Sequence, residues 1–568
     1  MKRIFSLVFS LLFLNLFSQE EKKWTALHVI DYTSDADLEI LIRQLPELSA
    51  KGINMLMLEV DYNFNFVSHP ELIEGSNPIT RAGAKRFAAE CRKNNIRLIP
   101  EFQSIGHQSW KTHNNPLLVK YPELDLTPGA FPNNDSIYCR EWDITNPKVN
   151  EIVFPLIDEI AEAFEADGIH VGMDEIFLIG HPLSPNTKGK NPARLLAIAI
   201  NEFHDHFVKE KKLEMFIWGD RLIDASQFNY GIWEASAAGT APAIDMIPKD
   251  IVICDWHYNA RPSYPSVDLF MDKGFKVLPC SYKDLEAAQD LIKYSFAKQN
   301  SSMLGHCFTT WGAVKKDELL EFPSMTEGLN TIKKQKYFDV SASYLNAEKP
   351  GETLTQLKTA KKDLTIYYTL DGTTPTNKSL KYSSPFTISG TCTLKAMAFN
   401  STEPAGDEFT EDFFLHKGVG KEIALAHAPS SKYAPKQGAA TLLNGIGGSS
   451  FSDGEWAGFE GEDMEAVIKL EHSSDISAVT MTFYNKVSSW IHHPEDFEIY
   501  TSEDGKNFTL VTTKKIIKTN KQLVSVKIAF TPVNTRYLKV VAKTLLIPEG
   551  FSGEGKAAWI FVDEIILE

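Results

Sequence analysis

The sequence predicts an α/β fold, a (β/α)8 barrel, followed by two all-β sandwich domains. Eight short apolar runs alternate with helix-like segments between Trp24 and Gln335. These runs lack strict polar alternation, which is typical of parallel strands covered on both faces. After Gln335 the long helical segments stop, and shorter strand-like runs between turn residues follow. Roughly 310 residues suit eight β/α units. An open doubly wound sheet is the alternative, and it is disfavoured because the chain lacks a phosphate-binding glycine motif.

The barrel elements can be placed in order from their hydrophobic pattern. The predicted strands are Ala26–Ile30, Ile53–Val60, Ile96–Phe102, Gly168–Met173, Glu214–Trp218, Ile251–Trp256, Phe275–Leu278 and Met303–Phe308. Amphipathic spacing predicts helices over Asp35–Ala50, Thr80–Lys93, Pro147–Glu165 and Pro192–Lys211. Ser34 begins the first of these helices and Gly52 stops it, as helix caps do.

Length, charge and cysteine content limit the class of protein. The 568 residues exceed one hydrophobic core, so two to four domains are expected. A formal net charge of −16 argues against nucleic acid or an anionic membrane as a partner. The six cysteines show no metal-ligand spacing. Three of them, Cys254, Cys280 and Cys307, lie in or beside apolar runs, which predicts buried thiols.

The N-terminus has the pattern of a secretory signal. Lys2 and Arg3 precede the mostly apolar Ile4–Phe17, which is too short to span a bilayer. We therefore expect a signal peptide at residues 1–18 and a secreted or periplasmic protein. No later stretch is apolar for long enough to insert into a membrane.

Changes of pattern predict the domain boundaries. The barrel is expected at 22–335, a first β-sandwich at 336–418 and a second at 419–568. In the first sandwich, Asp371–Pro375 has the composition of a turn between strands.

Polar and aromatic residues recur where the predicted barrel strands end, which is the active face of such barrels. They are Asp31, Glu59, Asp61, Glu101, His107, Asp174, Glu175, Trp218, Asp220, Asp255, Trp256, His257, Tyr258 and Trp311. Trp rings pack on sugar faces, whereas carboxylates bind hydroxyl groups and transfer protons, so we expect a glycan pocket. Asp174 and Glu175 are adjacent, and strand alternation would send their side chains in opposite directions. A metal cluster is the competing interpretation, but no HxH, HExxH or calcium-loop spacing appears, and no cofactor is expected.

Two segments resemble glycoside hydrolase family 20, the β-N-acetylhexosaminidases. His170–Glu175 resembles the His-x-Gly-Gly-Asp-Glu signature of that family, and Leu98–His107 resembles its Ile-Pro-Glu segment ending in Pro-Gly-His. Ile366–Thr376 is similar to the β-sandwich that follows such barrels in chitobiase-type enzymes. The last segment resembles discoidin-type (coagulation factor type C) modules, in the stretches Trp456–Gly461, Trp490–Pro494 and Ser502–Phe508. Many of these modules bind carbohydrate and often hold a structural Ca²⁺, although no ligand set can be identified in this sequence.

The resemblance implies a substrate-assisted, retaining mechanism, in which the 2-acetamido oxygen of the sugar attacks the anomeric carbon. Asp174 would then orient the acetamido group, and Glu175 would act as acid and base. Tyr258 would hydrogen-bond the acetamido carbonyl, while Trp218 and Trp311 would line the pocket. The other substrate-binding residues expected from the strand ends are Trp256, His107, Glu101 and Asp255.

The chain departs from the family pattern at the distal side of the sugar. The segment His28–Tyr32 contains no Arg to grip the distal hydroxyls, and Trp311 is followed by Gly312 and Ala313 where the family carries a Glu at the second position. The second signature Gly is Met173. One hypothesis is that the sugar is substituted, for example sulfated, or differs at its 4- or 6-position.

Two other functions stay open at this point. The first is another barrel glycosidase that pairs Glu175 with Glu101, Glu59 or Glu234. The second is a carbohydrate-binding protein without activity, motivated by the missing distal residues. An Asp174→Asn variant and a thiazoline mimic of the intermediate would distinguish the first, and a broad glycan panel would distinguish the second.

Overall fold

A computed structural model describes residues 23–346, 352–448, 453–517, 519 and 521–568. The chain forms two compact units, Met1–Tyr337 and Phe338–Glu568. The predicted signal peptide at residues 1–18 lies outside the described residues. Among the described residues, no helix has the length and apolar character needed to cross a membrane.

The first unit contains a closed barrel of eight parallel strands in the described part of the chain, which confirms the predicted fold class. The strands are β1 (Trp24–Val29), β2 (Met55–Glu59), β3 (Arg97–Ser104), β4 (Gly168–Gly172), β5 (Glu214–Trp218), β6 (Val252–Trp256), β7 (Lys276–Ser281) and β8 (Gly305–Thr309). Each neighbours the next in sequence, and β8 pairs with β1 through Trp24 opposite Gly305. All eight predicted strands are confirmed, with ends shifted by a few residues.

Helices surround this barrel and include the four that the sequence predicts. They are α1 (Asp35–Lys51), α2 (Arg81–Lys93), α3 (Pro116–Lys120), α4 (Pro147–Ala163), α5 (Pro192–His204), α6 (Pro265–Asp272), α7 (Leu285–Ala297) and α8 (Pro323–Lys334). The Ser34 side chain accepts a hydrogen bond from the Asp37 N–H, and Gly52 adopts φ 117° at the other end of α1. Both caps are as the sequence predicts.

Two cores hold the barrel together, because alternate strand residues face inward and outward. Met57, Phe216 and Cys254 belong to the core inside the barrel. Their neighbours in sequence, such as Ile217 and Ile253, pack between the strands and the helices. The three thiols predicted to be buried are fully buried, and none of the six cysteines, all of them described, forms a disulfide. The inward-facing residues at the strand ends therefore form the floor of any pocket.

The second unit contains two β-sandwich regions. The first consists of a three-stranded sheet (Ser341–Asn346, Thr353–Lys358, Phe386–Ile388) and a five-stranded sheet (Leu380–Lys381, Thr365–Thr369, Cys392–Asn400, Glu403–Pro404, Phe409–Phe413). Asp371–Pro375 connects two of these strands, and the Asp371 carboxylate accepts a hydrogen bond from the Thr373 N–H. This is the side-chain-stabilised turn that the composition predicts.

The second region is a seven-stranded sheet. Its strands are Glu422–Leu425, Ala457–Glu460, Met464–Tyr484, Asp496–Ser502, Thr509–Lys515, Leu523–Ala542 and Trp559–Leu567. Irregularities in pairing near Ser474 and Ala478 divide the two longest strands, so the sheet covers one apolar core. Trp456 and Phe459 are buried in packing, whereas Phe551 is exposed. The predicted boundaries between the two sandwiches stay predictions.

Candidate active site

Asp174 and Glu175 follow the end of β4, where the chain turns sharply. The strand ends at Gly172, and Gly172, Met173 and Glu175 adopt φ values of 65°, 73° and 49°. A Cβ atom at Gly172 would lie 2.0 Å from the side-chain oxygen of Gln103 and 3.1 Å from its Cα, so a larger residue would displace Gln103, and the positive φ also favours glycine. The two carboxylates therefore leave a turn, not a strand, and they converge. The expectation that they point in opposite directions is wrong for this reason.

His107 is the residue on which the two carboxylates converge. Its Nε2 lies 3.3 Å from Asp174 Oδ2 and 3.4 Å from Glu175 Oε2. Burial lowers the pKa of His107, but the negative charge of Asp174, together with the nearby Glu175 carboxylate, outweighs burial and raises it well above the usual value. The Asn115 amide donates to the His107 carbonyl, which fixes the loop that carries it. His107 therefore positions the pair and carries positive charge between them.

Asp220, which follows the end of β5, also helps to position Asp174 and Glu175. The Glu175 N–H donates to Asp220 Oδ2 at 2.9 Å, and the Trp256 indole donates to Asp220 Oδ1 at 3.2 Å. The Arg221 guanidinium contacts Asp220 at 2.5 Å. Burial raises the pKa of Asp220 to about 6 against the lowering effect of Arg221. Asp220 thus fixes the backbone of Glu175 and the ring of Trp256 together.

Glu101 lies beneath the pocket and not on its rim. Its carboxylate is fully buried and contacts His28 Nε2 at 2.6 Å, His170 Nδ1 at 3.0 Å and the Trp218 indole N–H at 3.0 Å. Burial raises the pKa of Glu101, but the charges of His170 and His28 outweigh burial and hold it well below its usual range. The prediction that Glu101 binds substrate is therefore not supported, because both oxygens are engaged by protein groups. It supports the floor instead.

Aromatic side chains line the barrel mouth beside the pair. The Trp311 indole donates a hydrogen bond to the Tyr258 hydroxyl, and the Tyr258 ring lies 4.8 Å from Trp256 between centroids. Trp218 is buried and lies 5.5 Å from Trp311. Tyr258 and Trp311 are only partly buried, so they can reach a ligand, whereas Trp218 forms the base.

Asp255 does not face the pocket. Because strand side chains alternate, the inward direction of Trp256 sends Asp255 to the outer face of β6. Asp255 accepts a hydrogen bond from the Ser266 hydroxyl at 2.8 Å and lies 3.1 Å from His257 Nε2. Glu234 belongs to the same network, 2.8 Å from His257 Nδ1. Asp255 is therefore wrong as a substrate-binding residue, and Glu234 is engaged as fully as Glu101.

Glu59 is the third carboxylate considered as a partner for Glu175. It ends β2, where burial first, and then the charges of Asp61 and Glu101, raise its pKa well above the usual value. Asp61 accepts a hydrogen bond from the Gln103 N–H at 2.7 Å, and burial raises its pKa to about 7. A carboxyl group held neutral can donate a hydrogen bond but is a poor nucleophile.

Sequence reasoning missed three residues near the pair, all in the long segment between β3 and α4. Tyr138 interacts with Glu175, Trp110 lies 5.4 Å from the His107 ring, and Glu141 accepts hydrogen bonds from two N–H groups of the loop after Glu175. The length of this segment could have indicated these residues, because so long a connection between a barrel strand and the following helix is uncommon unless it is functional.

Two buried carboxylates of the second unit, Glu455 and Glu564, are engaged by other protein side chains. Glu455 contacts the Lys436 amine at 3.1 Å and accepts a hydrogen bond from Asn444 at 2.7 Å. Glu564 lies 2.7 Å from His416 Nε2. Among the described residues, no three His, Cys, Asp or Glu ligand atoms of this unit converge. A structural Ca²⁺ in this module stays a prediction.

Three family models match the chain. They are the glycosyl hydrolase family 20 catalytic domain at residues 23–342, the chitobiase/β-hexosaminidase C-terminal domain at 347–410 and the F5/8 type C domain at 426–559. These matches confirm the three resemblances seen in the sequence.

Individual known proteins share only low sequence identity with this chain. A lacto-N-biosidase of Bifidobacterium bifidum is 26% identical over 193 residues, which are 32% of this chain and 15% of that protein. A β-hexosaminidase of Emericella nidulans is 23% identical over 256 residues, 42% of this chain and 40% of that protein. The chain thus spans less than half the length of either relative.

Among solved structures, a chitobiase of Flavobacterium johnsoniae is 18% identical, with a TM-score of 0.41 over 54% of this chain and 48% of that chain. The assignment itself rests on the catalytic-domain match, which covers more than half of the 568 residues. The chain belongs to glycoside hydrolase family 20.

Proposed function

We propose that the protein is a glycosidase that releases β-linked N-acetylhexosamine from glycans with retention of configuration. The observation that carries the proposal is the convergence of Asp174 and Glu175 on His107 at the mouth of a family 20 barrel. Ordinary retaining glycosidases use two carboxylates on opposite sides of the bond. Here the ligand atoms of the pair and of His107 all lie within 4.8 Å of one another, which favours two different roles on one side.

In the first step, the 2-acetamido oxygen of the substrate attacks the anomeric carbon, and the bond to the leaving oxygen breaks. Glu175 gives its proton to that oxygen. Asp174 accepts a hydrogen bond from the acetamido N–H and stabilises the positive charge that develops on the resulting oxazolinium ring. Asp174 Oδ1 is buried and accepts no hydrogen bond from the described residues, so it suits this contact.

In the second step, Glu175 takes a proton from water, which opens the ring at the anomeric carbon from the side that the leaving group left. Tyr258 would hold the acetamido oxygen throughout, since its hydroxyl accepts from Trp311 and keeps its own proton to donate. Trp311 would pack on the sugar, with Trp218 and Trp256 behind it.

The sugar at this site is proposed to carry a substituent or a further sugar at its distal side. A cavity of about 490 Å³ lies between the loops after β1 and β8, and Asp31, Tyr32 and Ala313 help to line it. These are the segments in which the family resemblance leads one to expect Arg and Glu. The Tyr32 hydroxyl is buried and has no hydrogen-bond partner among the described residues.

The charges around this cavity favour a neutral substituent over sulfate. Lys315 pairs with Glu318 at 2.9 Å, and Lys316 pairs with Asp37 at 2.6 Å. Each of the two lysine charges is therefore neutralised by a carboxylate, and Asp31 adds negative charge.

We expect an N-acetylhexosaminide glycosylated at its distal side to react faster than the unsubstituted one, and the 6-sulfated one to react more slowly than the glycosylated one. Rates measured on these three aryl glycosides test this expectation, and fastest turnover of the unsubstituted sugar would contradict it.

Secretion is proposed from the N-terminal sequence alone. Lys2 and Arg3 followed by the apolar Ile4–Phe17 support export to the periplasm or the exterior, where glycans would be the partner. The F5/8 type C match supports carbohydrate binding by the second unit.

The function is tested by a screen of aryl N-acetylglucosaminides and N-acetylgalactosaminides, with and without distal substituents. We expect hydrolysis by the wild type and loss of it in Glu175→Ala. Equal inertness of both proteins across a broad glycan panel, with binding retained, would instead identify a carbohydrate-binding protein.

A further inference from the structure

Three exposed aromatic side chains, Trp110, Tyr138 and Trp233, form a cluster at the barrel mouth. Their exposed fractions are 46, 40 and 45%. The Tyr138 ring lies 5.0 Å from Trp233 and 6.3 Å from Trp110, between centroids. Single exposed apolar residues are common, but large aromatic rings grouped on one surface are typical of binding sites.

The backbone under both indoles is fixed although the rings are exposed. Trp110 lies in a short hairpin, paired with His113, and its carbonyl accepts a hydrogen bond from the Asn134 amide at 3.0 Å. The Trp233 carbonyl accepts a hydrogen bond from Arg221 at 2.6 Å. Rigid aromatic rings lose little conformational entropy when a ligand packs on them.

The cluster is joined to the proposed acid. Burial first, and then the negative charge of Glu175, raise the pKa of Tyr138, so the phenol lies close to this carboxylate. The His107 ring, which positions Glu175, lies 5.7 Å from Tyr138 and 5.4 Å from Trp110. The cluster therefore borders the side of the site at which the proton is delivered.

The position of the acid determines where the leaving group lies. A general acid must reach the oxygen that joins the N-acetylhexosamine to the leaving group. Whatever is attached beyond that oxygen extends away from the sugar pocket and past Glu175. The exposed rings beside Glu175 are the surface that it meets.

We propose that Trp110 and Trp233 bind the leaving group, and that this group is itself a neutral sugar whose C–H face stacks on an indole. The proposal rests on the proposed function and narrows its substrate class to glycans in which the N-acetylhexosamine is linked to another sugar. Tyr138 lies between the two indoles and beside Glu175. It therefore fixes their relative positions and is a positioning residue. Trp, with its large face and fixed backbone, is well suited to such stacking.

The test compares two substrates in the full-length protein: a disaccharide with a β-linked N-acetylhexosamine at its non-reducing end, and the methyl glycoside of the same N-acetylhexosamine. Both have alkoxide leaving groups, but only the disaccharide can reach the cluster. We expect Trp110→Ala and Trp233→Ala each to lower kcat/KM for the disaccharide by about tenfold and to leave the methyl glycoside within about twofold. Trp→Phe at either position should restore part of the loss.

Ile198→Ala is the matched control, because Ile198 is 51% exposed on α5, outside the barrel mouth. It should change neither rate.

Equal losses on both substrates in the two Trp→Ala variants, or no loss on the disaccharide, would overturn the leaving-group site while the hydrolase activity stands. An octyl glycoside preferred over the disaccharide, and equally sensitive to both Trp variants, would overturn the sugar assignment in favour of an apolar aglycone. A wild type inert on all three substrates, and also on the same three glycosylated at the distal side of the N-acetylhexosamine, would overturn the proposed function and, with it, this inference.

Discussion

Glu175 differs from Asp174 in what surrounds it, and this difference separates their proposed roles. Glu175 has Tyr138 beside it and a backbone N–H held by Asp220. Asp174 keeps one buried oxygen without a hydrogen bond from the described residues. The first environment suits a group that exchanges a proton at the mouth of the site. The second suits a group that receives an N–H from a bound substrate.

The role of Glu175 predicts a dependence on the leaving group. In Glu175→Gln, kcat for a disaccharide should fall by about 10²- to 10⁴-fold, because its alkoxide leaves only with a proton. A dinitrophenyl glycoside needs no proton and should lose much less. Glu151→Gln, an exposed residue on α4, is the control and should not change either rate. Equal losses on both substrates would show that Glu175 is not the acid.

At the scale of elements, the turn after β4 places the pair. Gly172 and Met173 both have positive φ, and Met173 does so although it is not glycine. The left-handed conformation costs a non-glycine residue roughly 1–2 kcal/mol. The Met173 side chain is buried in the core between the strands and the helices, and its packing offsets this cost. The departure from the family signature at this position is therefore compatible with the same turn.

Gly172→Ala tests the turn directly. Backbone strain alone should cost about 1–2 kcal/mol of unfolding free energy, and the clash with Gln103 should add to it and displace Asp174. Gly189→Ala is a matched control, because Gly189 has φ 73° but no atom within 4 Å of the added Cβ. Denaturant unfolding and kcat should show a larger stability loss in Gly172→Ala and an activity loss in that variant alone. Equal effects in the two variants would contradict the account of the turn.

At the scale of the whole molecule, buried charge networks link barrel stability to pH. Burial lowers the pKa of His257, but the charges and hydrogen bonds of Asp255 and Glu234 outweigh it and raise the pKa to about 9. Below the unfolded-state value of about 6.5 this stabilisation is complete, and it is lost as pH rises towards 9. Cys254 has the opposite effect on stability over part of this range, because its pKa is lowered to about 6 and its contribution to stability grows as pH rises. The pH dependence of the wild type alone therefore does not separate the contribution of His257 from that of Cys254.

The comparison with His257→Gln isolates the histidine. Between pH 7 and 9 the wild type should lose roughly 1 kcal/mol more unfolding free energy per pH unit than the variant. Urea unfolding at pH 7, 8 and 9 measures the difference. Parallel curves for the two proteins would show that His257 does not bind a proton in the folded state.

The sequence predicted elements better than it predicted side-chain directions. The eight strands follow from apolar runs, since burial on both faces leaves a local pattern. Glu101 was misplaced because its partners His28 and His170 come from other strands. Asp255 was misplaced because four consecutive polar and aromatic residues conceal the alternation that turns it outward. Tyr138 was missed because no strand carries it.

The central claim is that the acetamido group of the substrate, and not a protein carboxylate, is the nucleophile. Inhibition of the wild type by an N-acetylhexosamine thiazoline, which mimics the cyclic intermediate, tests this most directly. We predict competitive inhibition at concentrations well below the KM of the substrate, and its loss in Asp174→Asn. An active wild type that the thiazoline does not inhibit, with Asp174→Asn as active as the wild type, would contradict the claim and point to a protein carboxylate as the nucleophile.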